Sequence, residues 1–180
     1  MILVYFVAEI ILKMKDRNWI LTAEVAERKL KRMALEISEK NPDSEGLVLI
    51  GIKGSGTTVA KRIAFHLQDC FYGKVELLEM AINKKEPKDA SPDREFEFNN
   101  RTVILADDVA NSGRTMLYAL KPLLKYMPGK IQTLALVERS HKLFPVSIDY
   151  VGLSVSTSQG EQIIVEISGD QVRGAYINNK

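Results

Sequence analysis

One run of this chain places several reactive groups side by side: Val103-Ile104-Leu105-Ala106-Asp107-Asp108-Val109-Ala110-Asn111-Ser112-Gly113-Arg114-Thr115. An apolar strand pattern delivers two adjacent carboxylates. A small turn with hydroxyls and a glycine follows, and a helical pattern opens after it. Ionised carboxylates accept hydrogen bonds, so Asp107 and Asp108 suit the vicinal hydroxyls of a ribose. The same oxygens can hold a hydrated Mg²⁺. Backbone N–H groups at a turn that opens a helix suit a phosphate dianion. Gly113 allows close backbone approach, and Ser112 and Thr115 add hydroxyl donors. The alternative for this run is an acidic turn with Ser112 as a helix cap. The order of strand, acid pair and hydroxyl-glycine turn favours the ligand site.

A second run, Gly51-Ile52-Lys53-Gly54-Ser55-Gly56-Thr57-Thr58, leaves another apolar strand and enters another helix. Its N–H groups and the Lys53 ammonium can cradle a pyrophosphate. It is not a Walker A loop, because no Gly-Lys-Ser/Thr follows. It is not a dinucleotide fingerprint, because Val59 stands at the third glycine position. Alone, such a turn is as much a plain connector as a ligand site.

These runs need elements to hold them. Thr22 to Lys40 reads as a helix capped by Thr22, with Ala26, Leu30, Met33 and Ile37 on one face. Asn41-Pro42 ends it. Leu47 to Ile52 reads as a buried parallel strand. Thr57 to Phe71 is a helix, and Val75 to Met80 a strand. Asn83 to Arg94, polar and with two prolines, reads as a mobile loop. Thr102 to Ala106 is the third strand. A helix follows over Arg114 to Tyr126, kinked or ended irregularly by Pro122. Ile131 to Val137, Asp149 to Val155 and Ile163 to Ile167 are further strands. Strands alternating with helices imply an α/β fold with a mainly parallel sheet, whose ligands bind beyond the carboxyl ends of the strands.

The bulk numbers agree with this. The chain has 180 residues, 46% apolar and 27% charged, which suits one domain with a sizeable core. The net charge of +2 gives no general drive toward nucleic acid. Cys70 is the single cysteine, so no internal disulfide forms, and the chain reads as intracellular and cytoplasmic. Cys70 reads as a buried small hydrophobe. Met1 to Leu12 is nearly all apolar but too short to span a membrane and unlike a signal peptide. It is expected to pack on the domain or on a second copy in a homodimer.

Taken together, the two runs resemble the signature of type I phosphoribosyltransferases. Further segments narrow the resemblance. Leu136-Val137-Glu138-Arg139-Ser140-His141-Lys142, then Pro145, Asp149-Tyr150-Val151-Gly152 and Ser156-Thr157-Ser158, look like the bifunctional pyrimidine operon attenuator/uracil phosphoribosyltransferase family. Ile20-Leu21, Lys31-Arg32, Glu36-Ile37 and Ala60-Lys61-Arg62 match it too, so the likeness covers most of residues 20–168.

The resemblance implies a type I phosphoribosyltransferase fold, a mainly parallel central sheet flanked by helices with a small hood. It implies one domain over 1–180, with an extension at 1–13, a mobile lid at 83–95 and the hood at 150–170. The implied activity moves the phosphoribosyl group of 5-phosphoribosyl-1-pyrophosphate (PRPP) to a nucleobase, uracil being favoured. Asp107, Asp108, Lys53 and Arg139 would be catalytic. Ala110, Asn111, Ser112, Gly113, Arg114 and Thr115 would hold the 5-phosphate, and Lys53, Gly54, Ser55 and Gly56 the pyrophosphate. Val155 and Ser156 would touch the base, and Mg²⁺ would sit on Asp107 and Asp108 through water. Two alternatives stay open: a regulator of pyrimidine genes that senses PRPP or a nucleoside monophosphate, and a transferase for a purine or another base. In the regulator, Lys31, Arg32, His141 and Lys142 stand at basic or contact positions toward RNA, a partner less favoured than the nucleobase.

The departures also carry expectations. Ser55 stands where the family has arginine, and Ser156 where its hood has proline. The 83–94 loop is short and has no tyrosine, which weakens closure. Asn111 stands where 6-oxopurine enzymes place an aspartate, which argues against hypoxanthine or guanine. Leu35 replaces an expected histidine. His66 reads as a surface or boundary residue, and Trp19 as a core or dimer contact.

Overall fold

A computed structural model describes residues 17–158 and 160–179. The apolar start, Met1 to Leu12, lies outside the described residues. Among those described, no helix is long and apolar enough to cross a membrane.

The chain first forms a short strand, β1 (Asn18–Thr22), and then a helix, α1 (Ala23–Lys40). The Val25 N–H donates to Thr22 Oγ1 at 3.3 Å, so Thr22 caps the helix as its type predicts. The helix turns Ala26, Leu30, Met33, Ala34 and Ile37 inward at helical spacing. Next come β2 (Gly46–Ile52), α2 (Ser55–Leu67) and β3 (Lys74–Ile82). A three-residue strand, β4 (Ala90–Pro92), folds back antiparallel on β3. Then follow β5 (Thr102–Ala110), α3 (Arg114–Leu120), a 3₁₀ turn (Lys121–Lys125), β6 (Lys130–Arg139), β7 (Tyr150–Val155), β8 (Glu161–Ser168) and β9 (Gln171–Asn179). Pro122 lies where α3 tightens into the 3₁₀ turn, as its missing N–H requires.

Six strands form the main sheet in the order β4-β3-β2-β5-β6-β7, and every pairing except β3 with β4 is parallel. Apolar side chains on both faces bury it. One layer packs α1 and α2 on it through Leu30, Ile37, Ile63 and Leu67, and the other packs α3 through Met116 and Ala119. A parallel sheet needs both layers, because each strand exposes two apolar faces.

A separate sheet, β1-β9-β8, is antiparallel and forms the hood. Trp19 packs edge-on against Tyr176 there, with ring centroids 5.4 Å apart. The 150–170 segment is therefore divided: β7 is the edge of the main sheet, and only β8 belongs to the hood. The strands β1 and β9, which complete the hood, have no counterpart among the sequence-based elements. In the 83–95 segment, residues 90–94 are tied down: Asp93 N–H donates to Glu79 O at 2.8 Å and Arg94 to Leu77 O at 2.9 Å.

His66 departs from its expected surface position. It is buried, and its Nε2 lies 2.9 Å from Glu27 Oε1, a carboxylate that also takes Arg62. Burial pushes the Glu27 carboxyl up, but Arg62 and His66 together outweigh it and hold it below its ordinary value. Cys70 is partly buried, with Sγ 3.5 Å from His66 O, and burial aided by Asp69 raises its thiol. Such a thiol stays protonated and inert.

Candidate active site

The strand order reverses between β2 and β5. From β2 the chain crosses by α2 to β3 on one side; from β5 it crosses by α3 to β6 on the other. Helices on opposite faces leave a crevice at the carboxyl ends of these two strands. The pairing register places the acid pair there. Pairing of β5 with β2 stops at Ala106 opposite Gly51, while β5 runs on against β6 to Ala110 opposite Glu138. Asp107 and Asp108 thus belong to a strand longer than the expected 102–106. They stand just where its β2 neighbour turns away.

A crevice of about 490 Å³ opens at this point. Lys84, Asp107 to Met116, and Gln162 to Ile164 of the hood line it. Asp107 is almost wholly buried. Its Oδ1 accepts from the Asp108 N–H at 2.9 Å and from Lys84 Nζ at 3.0 Å. Lys84 Nζ also reaches Asp108 Oδ1 at 3.3 Å. Burial, and then the neighbouring Asp108 charge, raise Asp107 well above the ordinary carboxyl range, against the pull of Lys84. Burial opposes the Lys84 charge, but the two carboxylates outweigh it and raise that ammonium. Two like charges side by side need a cation between them, and Lys84 supplies it here.

The turn after β5 takes its shape from glycine. Gly113 has φ of +81°, a left-handed conformation that other residues rarely adopt. The Arg114 N–H donates to Ser112 Oγ at 3.3 Å, and the N–H groups of Leu143 and Phe144 donate to Ser112 O at 3.0 and 3.1 Å. The 143–144 segment thereby braces the turn from outside. Lys142 lies beside it and pairs with Glu138.

The run 53–56 abuts the same site without lining the crevice. A Cβ on Gly56 would lie 3.0 Å from Asp107 Oδ1, so only glycine lets α2 start this close to the acid pair. Gly54 has φ of +101°, and Ser55 begins the helix. Lys53 is exposed and 3.7 Å from Glu79 Oε1, which with Thr57 Oγ1 bound to Glu79 Oε2 at 2.8 Å sets a carboxylate beside the loop.

Arg139 ends β6, and its guanidinium donates to Asn111 Oδ1 at 3.3 Å and to the carbonyls of Thr157 and Ser158 at 3.2 and 3.0 Å. It ties the turn after β5 to the segment after β7. Val155 and Ser156 flank that segment and do not line the crevice. Of the basic residues matched to an RNA contact, the half-exposed Arg32 is engaged with Glu36 and Val151 O, and Lys142 with Glu138. Lys31 and His141 are exposed.

Sequence reasoning missed Lys84, Glu79 and the hood residues 162–164. The Lys84-Lys85 pair after an apolar strand was the available signal for the first. Asp107 and Asp108 supply hard oxygen donors, as a hydrated Mg²⁺ requires. Among the described residues, no group of three or more His, Cys, Asp or Glu gathers to hold a metal. A pair fits an ion that keeps its waters and shares substrate phosphates.

The chain is similar to several known proteins. The family model for the phosphoribosyl transferase domain matches residues 17–167. A bifunctional protein PyrR of Oceanobacillus iheyensis is 36% identical over 167 residues, covering 86% of this chain and 93% of the relative. A pyrimidine operon regulatory protein of Lactococcus lactis subsp. lactis is 34% identical over 158 residues, covering 84% and 91%. Among solved structures, the hypoxanthine phosphoribosyltransferase of Trypanosoma cruzi has a TM-score of 0.73 at 17% identity, covering 89% of this chain and 95% of that one. A hypoxanthine-guanine phosphoribosyltransferase of Bacillus anthracis has a TM-score of 0.68 at 16% identity, covering 82% and 86%. At such identity these two structures speak for the fold alone. The domain match and the long alignments to the relatives agree with the acid pair and turn at the sheet's switch point: the chain belongs to the phosphoribosyltransferase family, in the branch of the bifunctional PyrR and pyrimidine operon regulatory proteins.

Proposed function

We propose that the protein binds PRPP and transfers its 5-phosphoribosyl group to a nucleobase, uracil in the first place, releasing pyrophosphate. The observation that carries this is the acid pair, Asp107 buried and Asp108 partly buried, beside a glycine turn at the switch point of the sheet. The 5-phosphate sits on residues 110–115, taking backbone N–H groups, Ser112 and Thr115. The ribose hydroxyls donate to Asp107 and Asp108. The pyrophosphate lies toward Lys53, Gly54, Ser55 and Gly56.

A base nitrogen forms the new bond to the anomeric carbon while the carbon–oxygen bond to pyrophosphate breaks. The base loses its N–H proton, and the electron pair leaves with pyrophosphate. Asp107 and Asp108 would hold Mg²⁺ through water, and the ion would supply charge neutralisation of the departing group. Lys53 adds a fixed positive charge on the same side. Arg139 acts through Asn111 and the 157–158 carbonyls, holding the turn and the base-side segment of Val155 and Ser156 in one frame. Preference for a pyrimidine rests on the kinship with pyrimidine operon regulatory proteins and on Asn111 in place of an acid.

A second reading is a regulator that senses PRPP or a nucleotide and contacts RNA. The relatives named as bifunctional or as operon regulators favour it, as does Ser55 in the pyrophosphate loop. PRPP- and Mg²⁺-dependent pyrophosphate release, assayed over a panel of nucleobases beside titration calorimetry, tests both. Release with uracil supports the enzyme. Tight binding without release from any base supports the sensor. Failure to bind PRPP or any nucleoside monophosphate would sink both. Cytoplasmic location and a homodimer complete the proposal.

A further inference from the structure

Lys84 is the second residue beyond β3, at the start of the connection to β4. Its ammonium lies 3.0 Å from Asp107 Oδ1 and 3.3 Å from Asp108 Oδ1 and forms part of the crevice wall. Asp107 Oδ1 also accepts the Asp108 N–H at 2.9 Å, so that oxygen is already doubly engaged. Any cation that bridges the two carboxylates from the crevice meets the position Lys84 fills. A dication and an ammonium cannot share it, because their mutual repulsion at contact distance opposes the attraction of the acids.

We propose that Lys84 is a resident counter-cation that keeps free divalent metal off Asp107 and Asp108 until the phosphorylated ligand arrives. This rests on the proposed PRPP site. A ligand that brings its own phosphates offers the ammonium a new anionic partner and brings the dication with it, so Lys84 and the metal exchange at that step. The segment around Lys84 can yield. Beyond Lys84 the connection is tied to the fold by the buried Pro87, by Lys121 Nζ bonding Lys88 O at 3.3 Å and by the pairing of β4 with β3. Around Lys84 itself the turn is closed locally, by Asn83 Oδ1 accepting the Lys85 N–H at 3.0 Å. Binding of metal and ligand is then ordered: metal alone binds poorly, and metal with PRPP binds well.

The test is a Mn²⁺ titration of the full chain, followed by electron paramagnetic resonance, without and with PRPP. Lys84→Met removes the ammonium and keeps much of the stem. It should bind Mn²⁺ about tenfold more tightly than wild type when PRPP is absent, the loss of one competing charged hydrogen-bond donor. Lys84→Arg keeps the charge and should stay within about twofold of wild type, on the same energetic scale. Adding Asp107→Asn and Asp108→Asn to Lys84→Met should abolish the gain, which locates the metal. Equal Mn²⁺ affinity in wild type and Lys84→Met would overturn the proposal, as would a gain that survives loss of the acid pair. If PRPP binds to none of these proteins, the PRPP reading fails, while the metal comparison still decides whether Lys84 guards the acid pair.

Discussion

Gly56→Ala is the most informative single change, because it strains the contact between the proposed pyrophosphate loop and Asp107 without removing any charged or hydroxyl group. The added Cβ would lie 3.0 Å from Asp107 Oδ1, 3.1 Å from Ala106 O and 3.1 Å from Asp107 Cα. Carbon–carbon contacts are best at about 3.5–4.0 Å, so the last is short by several tenths of an ångström. Two of the three atoms are backbone of β5, and that strand is fixed. Ala106 pairs with Gly51 and Leu134, and Asp107 with Ala135. The strain therefore falls on the start of α2 and on the Asp107 side chain. Overpacking of this kind costs about 1–3 kcal/mol, and the better helix propensity of alanine returns at most about 1 kcal/mol. A net loss near 1 kcal/mol lowers Tm by about 2–4 °C for a domain of this size. A displaced Asp107 also forfeits a charged hydrogen bond to the ligand, worth about 1.5–3 kcal/mol, so PRPP affinity in Mg²⁺ should fall about ten- to a hundredfold. Gly169→Ala is the control: φ is +59° there and nothing lies within 4 Å of the added Cβ. It strains the β8–β9 turn by about 1–2 kcal/mol without approaching the acids. Calorimetric melting and PRPP titration read both quantities. If folded Gly56→Ala binds PRPP as wild type does, the contact between α2 and Asp107 does not position the site.

Three other outcomes are expected. Asp107→Asn with Asp108→Asn should cost more PRPP affinity in Mg²⁺ than Thr115→Ala, because the first removes two charged acceptors and the second one neutral hydroxyl; titration calorimetry ranks them. Asp107 is raised by burial and then by Asp108, so its folded state favours the protonated form. Its contribution to stability is thus most favourable below the unfolded value of about 3.9 and declines as pH rises toward the folded value. Asp107→Asn should accordingly melt higher than wild type at neutral pH, with the gain vanishing near pH 4; a lower melting point at pH 7 would refute this. Deleting residues 1–13 should reduce the oligomer seen by analytical ultracentrifugation, and an unchanged assembly would show that this apolar segment does not hold it.

What the sequence determined by itself was the local order of chemistry along the chain. Asp107, Asp108, Ser112, Gly113 and Thr115 lie within nine residues, so a strand, a turn and a helix suffice to keep them together. Thr22 as a cap, the inward face of α1 and the irregular end at Pro122 were legible for the same reason: each depends on neighbours three or four residues away. Asp107 was expected at the end of a strand over 102–106. Where the strand actually ends depends on how far β6 accompanies it beyond β2, which no property of residues 102–110 encodes alone. The hood joins β1 from one end of the described chain to β9 from the other, so the short run Asn18–Thr22 becomes a strand only through its distant partner. His66 looked like a boundary residue because the Glu27 that partners it, itself held by Arg62, comes from another helix. Lys84 is 23 residues from Asp107, and the lysine pair after β3 does not by itself say which acids it faces. Only the parallel packing of β3, β2 and β5 brings the end of β3 across the crevice to the acids, because adjacent parallel strands deliver their carboxyl ends to one edge of the sheet whatever their separation in sequence.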